Sequence, residues 1–92
     1  MRPPAAEQLH PDIALLDISM PVMGGFTAAK QMKEKVPSVA IIFVSQYPDA
    51  AYVEEAFRVG ASGYVLKGSA LRDLTIAIQE VWAGGTFRSA LK

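Results

Sequence analysis

The sequence predicts an α/β domain built around a parallel sheet, and three observations carry that prediction. Residues 13–18, 39–45 and 63–67 are short, nearly unbroken apolar runs bounded by Pro, Gly or polar residues. An apolar run of this kind is what a strand covered on both faces requires. Each run is followed by a segment with the spacing of an amphipathic helix, and the connections between them are short. Strands and helices alternating in this way close into a right-handed parallel sheet.

The first run, Ile13-Ala14-Leu15-Leu16-Asp17-Ile18, has Ile13 and Leu15 on one face and Ala14, Leu16 and Ile18 on the other. It leads into a loop marked by Pro21 and Gly24-Gly25. Residues 26–35 then read as a helix, with Phe26, Ala29 and Met32 on one face and Lys30, Lys33, Glu34 and Lys35 towards water. Pro37 stops it. Val39 to Ser45 is rich in β-branched residues. Asp49 is placed to cap a helix over 50–59 that turns Val53, Ala56 and Phe57 inward and stops at Gly60. Gly63-Tyr64-Val65-Leu66-Lys67 forms the third strand. Ser69 is placed to cap a last helix through Ala83, with Leu71, Leu74, Ile78 and Val81 as its buried face and Gly84-Gly85 as its end. Residues 1–11 read as a Pro-punctuated tail or helix remnant, 12–85 as the domain, and 86–92 as the start of a linker.

Composition narrows the possible functions. At 92 residues, the chain is one small domain or part of one. Its nine Lys and Arg balance nine Asp and Glu with no run of like charge, so nothing electrostatic favours direct nucleic-acid binding or a membrane surface. With no cysteine, disulfides and thiolate metal sites are excluded. No apolar stretch is as long as a membrane span, and the N-terminus lacks the apolar core of a signal peptide. The expected location is the cytoplasm. His10, the one histidine, reads as a solvated loop residue because no second ligand type clusters near it.

Chemistry is expected at the strand ends. The three runs stay largely apolar until Asp17, Ser45 and Lys67. In a parallel sheet all carboxyl ends share one rim, where ligands bind. A carboxylate there can accept a phosphoryl group, while an ammonium and a hydroxyl stabilise and orient the added oxygens. Each residue alone also has a plainer reading: Asp17 as an acceptor of backbone hydrogen bonds, Ser45 as a turn former, Lys67 as a solvated charge, Tyr64 as a packed strand aromatic. The coincidence of all three strand ends favours the shared site. Trp82 reads as core or interface.

Pro11-Asp12, Leu15-Leu16-Asp17-Ile18-Ser19-Met20-Pro21, Gly25, Ile41-Ile42-Phe43-Val44-Ser45 and Val59-Gly60-Ala61-Ser62-Gly63-Tyr64-Val65-Leu66-Lys67 together resemble the response-regulator receiver family of bacterial two-component signalling. The similarity is greatest to the branch with a LuxR-type helix-turn-helix output domain. The resemblance implies a partial flavodoxin-like fold with three parallel strands, lacking the family's first two strands and first helix. It implies that Asp17 is the phosphoacceptor, Ser45 and Tyr64 the switch residues, and Lys67 the phosphate-pairing residue. Asp17 and the backbone carbonyl of Ser19 become magnesium ligands. The implied partner is a sensor histidine kinase, and the implied role is signal transduction in transcription regulation rather than catalysis.

The departures set further expectations. The family's first strand carries two adjacent acidic residues that hold Mg²⁺, and nothing before Asp12 supplies them. A hard divalent ion left with Asp17 and one carbonyl is held weakly, so this chain is expected to be poorly phosphorylated. Gln46 stands where the family usually has a small residue, and Gly68 where proline is frequent. Without the first two strands, residues 12–18 become an exposed edge that invites a second copy; the outer face of the last helix-strand-helix is the other candidate for a homo-oligomer. The alternative role is therefore a phosphorylation-incompetent association or dimerisation module. A haloacid-dehalogenase-like phosphohydrolase also uses a strand-end aspartate, but it wants a second acid two residues on, where this chain has Ser19.

Overall fold

The computed structural model describes residues 12–18 and 22–90. The order is β1 (Ile13–Ile18), α1 (Val22–Lys35), β2 (Ala40–Ser45), α2 (Ala50–Arg58), β3 (Gly63–Leu66), a 3-10 turn (Lys67–Ser69), α3 (Ala70–Trp82) and β4 (Phe87–Arg88). The strands form one sheet in the order β1-β2-β3-β4, and every pairing is parallel. Side chains alternate across it. Ala14, Leu16, Ile18, Ile41, Phe43 and Tyr64 face α1 and α2, meeting Phe26, Ala29, Val53 and Ala56. Ile13, Ala40, Ile42 and Val65 face α3, meeting Ala77 and Val81. The β2 strand is sealed on both sides, with Ala40 to Phe43 buried, as its apolar run required. Phe26 packs edge-to-face on Phe43, with ring centroids 5.4 Å apart.

The structure departs from the expected elements in instructive places. Helix α1 begins at Val22 and runs through Gly24-Gly25 instead of starting at Phe26. Two glycines weaken a helix, but a Cβ on Gly25 would lie 3.1 Å from Ile18, so the glycine lets the helix approach the end of β1. Lys33 does not project freely to water. Its amine donates to the carbonyls of Pro37 (3.1 Å) and Val39 (2.9 Å), and its stem lies against Gly60, whose φ is +107°. Asp49 and Ser69 occupy the cap positions expected of them, but neither side chain makes a capping hydrogen bond. Leu71 is fully exposed rather than buried, and Asp73 takes the inward position. Those residues are two apart, about 200° around the axis. The sheet has a fourth strand instead of three: β4 lies where the linker was expected to begin, with Phe87 N–H donating to the Ser62 carbonyl at 3.0 Å. Two residues carry no periodicity, so only tertiary hydrogen bonds reveal such a strand. The tail expected over 1–11, including His10, lies outside the described residues.

Candidate functional site at the carboxyl rim

Parallel pairing brings the three strand ends together. In the register of the sheet Asp17 lies beside Val44, Ile18 beside Ser45, and Ser45 beside Leu66. Chain direction reverses only through the helices, so the residues ending β1, β2 and β3 emerge on one side. There the Lys67 amine reaches across β2 to Asp17, with Nζ 2.9 Å from Oδ1. The Asp17 side chain is 63% exposed and that of Lys67 38%. The acid is therefore open to a reactant from solvent and is steered by a cation.

Ser45 is fully buried, and its Oγ accepts a hydrogen bond from Tyr47 N–H at 3.0 Å. Tyr64 is also buried, its hydroxyl donating to the Tyr47 carbonyl at 2.6 Å. Burial pushes the Tyr64 phenol above its ordinary pKa, and a hydrogen bond with Ser45 partly counters that. The two expected switch residues are thus tied through the backbone of one residue, Tyr47, by its N–H and its carbonyl. Sequence reasoning missed Tyr47 because its backbone, not its side chain, makes the link. Tyr47 also packs edge-to-face on Tyr52 at 5.4 Å. Gln46 is exposed beside this group. Two further polar residues, Asp73 and Ser89, are buried behind Lys67, and neither carried a motif.

The metal expectation fares differently. Ser19, whose carbonyl was to be a ligand, lies outside the described residues. Among the described residues no group of three acidic or imidazole side chains converges. Asp17 is already committed to an ammonium. Mg²⁺ needs several oxygen donors in near-octahedral array, and the described donor set does not fit it.

A parallel, doubly covered sheet with an acid and an amine joined across its carboxyl rim, and a buried hydroxyl on the strand between, defines a receiver-type α/β module of the flavodoxin kind. Comparison with known proteins agrees. The chain belongs to the response regulator receiver domain family, whose model matches residues 4–79. It is 39% identical over 80 residues to the transcriptional regulatory protein LnrK of Bacillus subtilis, covering 87% of this chain and 36% of that protein. It is 31% identical over 84 residues to the response regulator GacA of Pseudomonas aeruginosa, covering 91% of this chain and 39% of that one. Among solved structures it resembles a LuxR-family two-component response regulator from Aurantimonas (TM-score 0.75, 32% identity, 83% of this chain and 54% of that one). It also resembles the isolated receiver domain of RcsB from Salmonella enterica (TM-score 0.74, 26% identity, 94% and 63%). The chain thus spans well under half the length of those curated relatives. Among the described residues no helix is long and apolar enough to cross a membrane.

Proposed function

We propose that the chain is the phosphoacceptor part of a two-component receiver, with Asp17 as acceptor, Lys67 as the phosphate-pairing cation, and Ser45 with Tyr64 as the responding pair. The observation that carries this reading is the 2.9 Å contact between Lys67 Nζ and Asp17 Oδ1 across the intervening strand. In the reaction an Asp17 oxygen attacks the phosphorus of a donor such as a histidine kinase's phosphohistidine. The new P–O bond forms as the bond to the donor breaks, and the donor leaves with the electron pair. Lys67, released from the carboxylate, pairs with the phosphoryl oxygens. Ser45 then turns to donate its hydroxyl to a phosphoryl oxygen and gives up the Tyr47 N–H, which loosens the Tyr47 backbone whose carbonyl accepts from the Tyr64 hydroxyl. The family supports a role in signalling towards transcription rather than turnover, and a cytoplasmic location is in keeping with it.

Among the described residues the donor set does not suit Mg²⁺, so slow phosphorylation of the 92-residue chain is expected. Treatment with acetyl phosphate and magnesium, followed by intact-mass measurement, tests both parts. A substoichiometric adduct that disappears in Asp17→Asn is expected. A complete adduct overturns the slow transfer, and an adduct that survives Asp17→Asn overturns the acceptor. No adduct at any donor concentration favours the second reading, an association module. That reading has an observation of its own: among the described residues β1 is an edge strand, with Leu15 47% exposed. Two copies joined along β1 about a two-fold axis run antiparallel. The outer face of α2, β3 and α3 is the other surface for a second copy, although the free side of β3 is taken by β4.

A further inference from the structure

Ser89 is 2% exposed and follows the last strand, yet it holds two other elements of the domain. Its N–H donates to the Tyr64 carbonyl at 2.9 Å. Its Oγ accepts from Leu66 N–H at 3.1 Å and donates to Asp73 Oδ2 at 2.8 Å. Tyr64 and Leu66 are alternate residues of β3, so one serine clips the final turn of that strand. Leu66 immediately precedes Lys67. Asp73 lies in the first turn of α3 and is itself only 5% exposed.

A carboxylate in such a place is costly unless its oxygens are bonded. The other oxygen, Oδ1, takes Arg72 Nε at 3.0 Å, but the Arg72 side chain is 72% exposed, and surface pairs contribute little. The buried partner is the serine hydroxyl. The adjoining Arg88 lies over the Phe57 ring of α2, 4.5 Å from its centroid. The short segment 87–89 therefore touches the helix that follows Ser45, the strand that leads to Lys67 and the helix after it.

We propose that Ser89 is a positioning residue for Lys67: it holds the carboxyl end of β3 against the first turn of α3, and through it β4 responds to whether Lys67 is engaged with Asp17. The physical reason is reach. The Lys67 amine lands on Asp17 only if the backbone at Leu66 is held where it is. Coupling is reciprocal, so whatever moves Lys67 also loads Ser89. The direction of the signal rests on the reading of Asp17 and Lys67 as the responsive pair; the link itself rests on the three Ser89 hydrogen bonds.

Amide hydrogen exchange resolved by NMR on the whole chain tests this. In Lys67→Met, exchange at Phe87 and Ser89 is expected to rise about two- to fivefold, because the strand end is loosened by the loss of an exposed ion pair. The increment is expected to vanish when Ser89→Ala is already present and to return in Ser89→Thr. Unchanged exchange in Lys67→Met, or an equal increment with and without the hydroxyl, overturns the proposal. Should Ser89→Ala lose its far-ultraviolet dichroism, the Lys67→Met response alone decides. Phosphoryl transfer is read separately by mass. A missing adduct with the exchange coupling intact counts against Asp17 and leaves the role of Ser89 standing, and the opposite pair of results does the reverse.

Discussion

Asp17 and Lys67 meet where water reaches both, and an exposed ion pair contributes only about 0–1 kcal/mol to stability. The stability of the fold therefore gains little from an acid and an amine placed there, which is in keeping with the proposed role of the pair at the rim. Tyr64 is the contrasting case. Its ring is core and its hydroxyl donates to the Tyr47 carbonyl. Tyr64→Phe keeps the packing and removes that bond, so it should cost about 1 kcal/mol, read as a lower urea midpoint with an unchanged slope. A neutral result would mean that the Tyr47 carbonyl is satisfied some other way. Lys33 shows how far a single residue can stray from its sequence pattern. A lysine on a polar stripe reads as solvated, but the Pro37 and Val39 carbonyls and the bare surface of Gly60 lie within its reach.

At the scale of the element, α3 shows what sets a helix's rotation. The apolar spacing pointed to Leu71, Leu74, Ile78 and Val81; Leu74, Ile78 and Val81 do pack on the core, but Leu71 is left in solvent and Asp73 and Ala77 are buried. Ser89 supplies the missing determinant by bonding the Asp73 carboxylate. That hydrogen bond, and then Arg72, hold the Asp73 carboxyl below the ordinary carboxylate range. A folded pKa that is lowered favours the native state above the unfolded value of about 3.8. That contribution is lost as pH falls from there through the lower folded value. Asp73→Asn should accordingly flatten the acid limb of the stability curve while leaving an acceptor for Ser89. Urea titrations at several acid pH values check this, and an unchanged limb would show that Asp73 gains nothing from its partners. Helix α1 makes a related point, since Gly25 admits a close approach to Ile18 that an alanine would obstruct.

For the molecule as a whole, strand order decides what stays open. Among the described residues the order is β1-β2-β3-β4, and the strand bearing Asp17 lies at one edge. An edge strand leaves a row of N–H and C=O groups unpaired, and Leu15 adds apolar surface on the side facing α3. The expected consequence is self-association. Light scattering should show a mass above that of the monomer at roughly tens of micromolar, where weak interfaces populate, and Leu15→Lys should restore the monomer. A wild-type chain that stays monomeric over that range would remove the association reading.

The sequence by itself determined the alternation of strands and helices, the three residues at the strand ends and the family they mark. Periodicity and burial are local signals, and a run such as Ala40 to Phe43 can satisfy them only in the middle of a covered sheet. Only the tertiary structure decided that Asp73 rather than Leu71 turns inward in the first turn of α3, the link from Ser45 to Tyr64 through the Tyr47 backbone, and the strand at Phe87–Arg88. Each of these depends on hydrogen bonds between groups distant in the chain or carried by the backbone, and neither kind leaves a trace in the pattern of side chains.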